Sequence, residues 1–230
     1  MADRLILWDF DGTLAAREGL WSGCVVELLD ELSPGHGVRP GDFRRAMSGG
    51  YPWSTPDVSH PHLGQSDAWW AHVSGRIATA LTAIGIDRDL ARETSLGVRR
   101  RFIDHTRAWS LFDDTLPALE RAAAAGWRSA ILSNHVPELP ELVRRLGLDG
   151  HVERTFTSAL TGFEKPHPEA FAVALSACGN PPEVWMVGDN PVADVDGAEA
   201  AGIPAVLVRT HAAAPRAAAG LDQALELIFG

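Results

Sequence analysis

The sequence predicts an α/β fold, a doubly wound parallel sheet with a helical subdomain inserted early in the chain, and three observations carry that expectation. A short apolar run, Leu5 to Trp8, stops at Asp9-Phe10-Asp11-Gly12, as a buried strand opening into a loop does. From Trp127 to the C-terminus, strand-like apolar runs alternate with stretches of helical character, the pattern of strands joined by crossover helices. Between these regions more than a hundred residues separate Asp11 from Trp127, where a strand-helix-strand crossover needs only about thirty.

Taken in order, Leu5 to Trp8 is the first strand, and function is expected at its end. In the long gap, Trp21, Val25, Leu28 and Leu32 recur at helical spacing, as do Trp69, Val73, Ile77, Leu81 and Ile84. No two-residue alternation is evident there, so residues 15 to 109 are expected to form an all-helical subdomain. Residues 1 to 14 and 110 to 230 then make the α/β core. A helix from Leu116 to Ala125, with Asp114 and Thr115 as possible caps and Gly126 as its stop, returns the chain to that core. Strands at Trp127 to Leu132, Val152 to Phe156, Val184 to Val187 and Ala205 to Val208 follow. Helices at Glu138 to Leu146, Glu169 to Cys178, Ala193 to Ala201 and Leu221 to Phe229 separate them in a Rossmann-like succession.

Composition narrows the function. The net charge of −10 opposes a phosphate backbone, and Arg99-Arg100-Arg101 reads as a solvated helix face, so no nucleic-acid partner is expected. No apolar run reaches the roughly eighteen residues of a membrane span, and the first apolar stretch is too brief for a signal peptide. Cys24 and Cys178 lie far apart without a Cys/His cluster, which suggests neither a disulfide framework nor a zinc site. Together these features point to a soluble cytoplasmic protein with no membrane partner. Nineteen arginines accompany one lysine, Lys165, which marks a position where a compact ammonium is needed and a guanidinium does not serve.

Four features fall at expected strand ends: Asp9-Phe10-Asp11-Gly12-Thr13, Ser133-Asn134, Lys165-Pro166, and Gly188-Asp189 followed by Asp194. A doubly wound sheet brings such ends to one crevice. Two unit charges about 4 Å apart cost on the order of 4 kcal/mol at an effective dielectric near 20, so the gathered carboxylates call for a cation. Oxygen donors with no His or Cys among them suit Mg²⁺. A metal-held carboxylate beside an ammonium and a hydroxyl is a suitable receiver for a phosphoryl group.

The segments DFDGT, ILSN, EKPHPEAF and GDNPVADVDGAEAAGI resemble the four ordered motifs of the haloacid dehalogenase-like superfamily and span the core. The resemblance implies that Asp9 is nucleophile and metal ligand, and that Asp11 is general acid/base and a metal ligand through its main-chain carbonyl. It further implies Asp189 as a metal ligand, and Thr13, Ser133, Asn134 and Lys165 as phosphate-binding groups. Lys165 pairs with Asp9 in this reading, Asp194 orients Lys165 or a metal-bound water, and the insert is a mobile helical cap. The dehalogenases of the superfamily lack the second aspartate, so Asp11 favours phosphoryl transfer. Ala15-Ala16-Arg17 and Lys165-Pro166-His167-Pro168 depart from the commoner patterns of its phosphatases and leave the substrate open. The expected function is a Mg²⁺-dependent phosphomonoesterase for a small phosphorylated metabolite. A phosphomutase acting on a sugar phosphate and a non-catalytic binding module on the same fold are the alternatives.

A Walker-type nucleotide site is excluded because the sole lysine precedes proline instead of Ser or Thr. In the insert, Tyr51-Pro52-Trp53, His60-Pro61-His62 and Trp69-Trp70 concentrate rings that could line a specificity pocket. Trp69 lies on the apolar stripe, and Trp70, one residue off it, is the expected surface ring. Arg44 and Arg45 are open between an anionic substrate tail and solvated helix positions. His135 is open between a role behind the phosphate loop and a helix start.

Overall fold

Leu5, Ile6, Leu7 and Trp8 are all fully buried, the environment of a strand covered on both faces. In the computed structural model of the protein, which describes residues 3–104 and 108–230, they belong to β1 (Arg4–Trp8). Residues 105–107 of the expected insert lie outside the described residues. β1 sits inside a six-stranded parallel sheet with β4 (Arg128–Ser133), β5 (Arg154–Thr157), β6 (Glu183–Gly188), β7 (Ala205–Val208) and β8 (Ala217–Ala218), in the order β5-β4-β1-β6-β7-β8. The chain leaves β1 toward β4 and β5, then returns to β1's other side for β6 and the rest. The switch point therefore lies at β1, where open α/β sheets form their crevice.

Alternate residues of β1 serve opposite faces. Ile6 and Trp8 join the cluster that includes residues of α5 (Thr115–Ala124), α6 (Leu139–Arg145) and α10 (Leu221–Phe229). Leu5 and Leu7 face Phe171 and Ala174 of α8 (Pro168–Ala177) and Ala198 of α9 (Gly197–Ala200). A single helical turn, α7 (Ser158–Thr161), follows β5. The expected helix from Ala193 to Ala201 begins differently: Pro191–Asp196 is a π-helical turn that runs into α9.

The insert holds α1 (Leu20–Leu32), α2 (Pro40–Ala46), α3 (Ser66–Ala83) and α4 (Arg88–Phe102), with α4 packed on both α1 and α3. Asp87 caps α4 by accepting from the Asp89 and Leu90 main-chain N–H groups at 2.9 and 3.3 Å. The insert's apolar residues are continuous with those on the Trp8 face of the sheet.

The insert is not wholly helical. β2 (Ala15–Arg17) and β3 (Trp109–Leu111) pair antiparallel where the chain leaves and re-enters the core, Ala16 opposite Ser110. Each strand has three residues, too few for alternation to register in the sequence. Trp70 is buried, contrary to the expectation of a surface ring, because α3 lies between α4 and the core and so has two covered faces. Its Nε1–H donates to Glu138 Oε2 at 2.9 Å, and Ser66 Oγ and Arg99 Nε both reach Glu138 Oε1 at 2.9 Å. Arg101 also bonds Glu31, at 2.5 Å, so two of the three consecutive arginines are ion-paired. No helix among the described residues is long and apolar enough to cross a membrane. Cys24 and Cys178 are buried free thiols.

Candidate active site

The loop after β1 is shaped by main-chain bonds. Asp9 N–H donates to Val187 O at 2.8 Å, extending the β1–β6 pairing by a residue, and the N–H groups of Leu14 and Ala15 both return to Phe10 O at 2.9 Å. Gly12 takes φ +82° within this turn, and a Cβ there would lie 2.4 Å from Asp189 Oδ2. The glycine therefore serves the turn and the approach of Asp189 together. Asp9 and Asp11 from this loop, Ser133 at the end of β4, and Asp189 beyond β6 line a cavity of about 200 Å³. Lys165 and Asp194 line its floor.

Lys165 is 2 % exposed, and its Nζ donates to Asp9 Oδ1 at 3.0 Å and to Asp194 Oδ1 at 2.5 Å. Burial alone would lower its pKa; the charges of Asp194 and Asp9 reverse this and raise it, so the ammonium is retained. Asp194 is fully buried, and its second oxygen accepts the Asn190 N–H at 2.9 Å. Asn190 Oδ1 in turn accepts from the N–H groups of Val192 and Ala193, both at 3.0 Å, and so starts the π-helical turn that carries Asp194.

The other carboxylates carry the strain expected of crowded like charges. Burial first, and then the charges of Asp9 and Asp189, push Asp11 up to about 8. Burial and the charges of Asp9 and Asp194 push Asp189 up to about 7. One oxygen from each of Asp9, Asp189 and Asp194 lies within 4.8 Å of the others. Asp194 has both oxygens engaged, by Lys165 and by Asn190, which leaves Asp9 and Asp189 open to a cation. An all-oxygen donor set of this kind fits a hard divalent ion such as Mg²⁺.

One expected phosphate-binding side chain is placed otherwise. Thr13 is fully buried and does not line the cavity; the turn after Asp11 carries it into the interior, where its main-chain oxygen accepts from Arg209 Nε at 3.0 Å. Asn134 lines the cavity and also binds the Lys165 main chain: Nδ2 donates to Lys165 O at 2.8 Å and Oδ1 accepts Lys165 N–H at 2.7 Å. It thus holds the lysine in place with one of its two Nδ2–H donors. Asn190 was not anticipated, because its effect depends on folding the turn that contains Asp194. Gly188 gives Asp194 its room: a Cβ there would lie 2.1 Å from Asp194 Oδ2.

A second cavity, of about 210 Å³, shares Asp11 and Asn134 with the first. Trp21, Trp53, Trp69 and Phe102 of the insert and Glu164 and His135 of the core line it. His135, open between two roles in the sequence, is fully enclosed among Phe10, Phe102 and Trp109 at ring distances of 5.4, 5.7 and 5.1 Å. Burial lowers its pKa to about 4, so the ring is neutral at physiological pH. Of the insert's ring clusters, Trp53 and Trp69 reach this cavity, while His60 and His62 do not. Arg45 pairs with Asp42 at 2.5 Å, and Arg44 Nη2 reaches Ser22 Oγ at 3.4 Å.

A doubly wound sheet whose switch point presents an acidic, cation-ready crevice around one buried ammonium defines an α/β enzyme core. A family model for haloacid dehalogenase-like hydrolases matches residues 4–202, and the chain belongs to this family. It is 34 % identical over 228 residues to a phosphoserine phosphatase of Thermus thermophilus, covering 89 % of this chain and 88 % of the relative. It is 32 % identical over 211 residues to haloacid dehalogenase-like hydrolase domain-containing protein 3 of Mus musculus, covering 89 % and 81 %. The solved structure of YfnB from Bacillus subtilis, bound to magnesium, superposes over the whole of both chains with a TM-score of 0.76 at 18 % identity, which is a likeness of fold.

Proposed function

We propose that the chain is a Mg²⁺-dependent phosphomonoesterase that hydrolyses a small phosphorylated metabolite through an aspartyl-phosphate on Asp9. The observation that carries this reading is the Lys165 ammonium, buried between Asp9 and Asp194 and facing the same crevice as Asp11. In the first step a carboxylate oxygen of Asp9 bonds to phosphorus and the ester P–O bond breaks, while Asp11 gives its proton to the departing oxygen. Burial, the largest cause of the raised Asp11 pKa, favours the protonated form this step needs. In the second step the Asp11 carboxylate takes a proton from water, whose oxygen bonds to phosphorus as the bond to Asp9 breaks. Lys165 offsets charge on the phosphoryl oxygens, Ser133 offers them a hydroxyl, and Asn134 and Asp194 fix the lysine from its two ends. Mg²⁺, held by Asp9, Asp189 and the main-chain carbonyl of Asp11, supplies further charge neutralisation.

Residues 15 to 109 act as a cap in this reading, since their tryptophans close the space next to Asp11. The sequence relative from Thermus thermophilus is a phosphoserine phosphatase, and a leaving group of similar size suits the adjoining 210 Å³ cavity. Buried free thiols fit a reducing, cytoplasmic setting. The test is turnover of 4-nitrophenyl phosphate after chelation and after return of Mg²⁺. Loss and recovery are expected; full activity in excess chelator refutes the metal role.

A further inference from the structure

The cavity beside Asp11 has an unusual chemical balance. Its walls are largely aromatic: Trp21 stacks on Phe102 at 4.2 Å and on Trp53 at 5.2 Å, and Trp69 stands 6.2 Å from each of Trp21 and Trp53. Into this aromatic box faces Glu164, a carboxylate 3 % exposed, whose Oε2 is buried and finds no hydrogen-bond partner among the described residues. No ion pair reaches it. Lys165, next along the chain, turns its ammonium to Asp9 and Asp194, Ser158 offers Glu164 only a neutral hydroxyl, and among the described residues no lysine or arginine lines the cavity. His135 contributes a neutral ring.

A buried carboxylate oxygen without a donor is costly, and such a group in a native protein needs an explanation. Burial lifts the Glu164 pKa to about 7, so its charged and neutral forms are close in energy and a bound partner decides between them. Trp69, tilted rather than stacked against Trp21 and Trp53, adds an aromatic attraction for positive charge. An anionic leaving group finds no lining cation among the described residues, since Arg17, 5.7 Å from the Phe102 ring, is paired with Glu27, and a neutral one leaves the carboxylate unmatched.

We propose that Glu164 and the rings of Trp21, Trp53, Trp69 and Phe102 form a subsite for a positively charged nitrogen on the leaving group. The enzyme's substrates are thereby phosphomonoesters of amino alcohols or amino acids. This rests on the phosphomonoesterase reading above. The shared chemistry is the cationic nitrogen, and the choice of probes separates its two sources.

The experiment measures kcat/KM of the wild-type enzyme with Mg²⁺ on matched pairs. These are 2-aminoethyl phosphate against propyl phosphate and phosphocholine against 3,3-dimethylbutyl phosphate, with O-phosphoserine as the amino-acid probe and 4-nitrophenyl phosphate as a reporter of phosphoryl transfer. The cationic member of at least one pair, or O-phosphoserine against propyl phosphate, is expected to lead by about tenfold or more. In Glu164→Gln, which keeps size and removes charge, that ratio should fall to within about threefold of unity. If the wild type turns over 4-nitrophenyl phosphate but shows no cationic preference, the subsite is overturned while the phosphomonoesterase stands. If Glu164→Gln keeps the full preference, Glu164 is not its source and the proposal fails. If no phosphate ester is hydrolysed with Mg²⁺ present, the phosphomonoesterase reading falls and the subsite falls with it.

Discussion

Replacing Gly188 by alanine tests how closely the site is built. The φ of Gly188 is outside the left-handed region, so an alanine meets no backbone strain there. The added methyl would instead lie 2.1 Å from Asp194 Oδ2, 2.2 Å from its Cγ and 2.5 Å from its Cβ. Asp194 is fully buried and bound at both oxygens, to Lys165 at 2.5 Å and to Asn190 N–H at 2.9 Å, so it gives way only by losing those bonds. Breaking a buried charge pair costs about 3–5 kcal/mol, and because Lys165 keeps Asp9 the lower end, about 3, applies. At about 2–4 °C per kcal/mol for a chain of this size, the melting temperature should fall by about 6–12 °C. A lysine displaced by an ångström also lowers turnover by about 10²-fold. The assay is thermal unfolding together with kcat/KM on 4-nitrophenyl phosphate. Gly202→Ala is the control: φ is +77° and nothing lies within 4 Å of the new methyl, so it should cost about 1–2 kcal/mol of backbone strain and leave the kinetics alone. A Gly188→Ala protein that melts within about 2 °C of wild type and turns over within about threefold of it would show that the Asp194–Lys165 pair does not depend on this clearance.

Asp11→Asn should lower hydrolysis of alkyl phosphates by roughly 10²–10⁴-fold, because a poor leaving group needs the acid, while 4-nitrophenyl phosphate gives a burst of nitrophenolate and then slow turnover. Alkyl phosphate turnover close to wild type would remove Asp11 from the acid/base role. Lys165→Arg should be nearly as damaging as Lys165→Ala, since a wider planar group does not fit a buried site with carboxylates at 3.0 and 2.5 Å; kcat/KM of the two variants decides. Metal-free protein should lose stability as pH rises from about 6.5 to 8.5, with Mg²⁺ stabilising most at the upper end. The sign follows from the raised pKa values of Asp11 (about 8) and Asp189 (about 7): the folded state holds protons that the unfolded chain releases near 4. His135 is neutral in both states over most of this range. Urea midpoints that rise with pH without metal would contradict the crowding of carboxylates.

The features legible in the sequence are those set by local pattern. Leu5 to Trp8 announces a strand covered on both faces, and Asp9 and Asp189 announce themselves as charge at strand ends, whereas Lys165, expected at one, follows the α7 turn instead. Features set by distant partners were not legible. Asn134 reads only as a phosphate ligand, because its hold on the Lys165 main chain, thirty-one positions on, is set by the fold. Trp70 reads as a surface ring until Glu138 of the core covers a second face of its helix. Ala217–Ala218 gives no strand signal, because two alanines acquire pairing only from β7 beside them. Glu164 gives none either, since its exposure to the aromatic cavity depends on where the insert folds back.

The central place of β1 bears on how the chain comes to be folded during its synthesis. β1 is translated before the other strands of its sheet, and its neighbours are distant in sequence: Leu5 pairs beside Arg128, and Arg4 beside Glu183. At about 5–20 residues per second a nascent chain waits on the order of 10–35 s before both flanks of that apolar strand can be covered. The insert's helices come from one continuous stretch and can pack in the interval, and their apolar residues join the cluster that holds Trp8 in the finished molecule. An arrested chain ending before residue 128 should therefore bind chaperones and hydrophobic dyes even with its helices formed, and one that extends well past Gly188 should not. Asp9, the proposed nucleophile, thus waits on strands translated long after it.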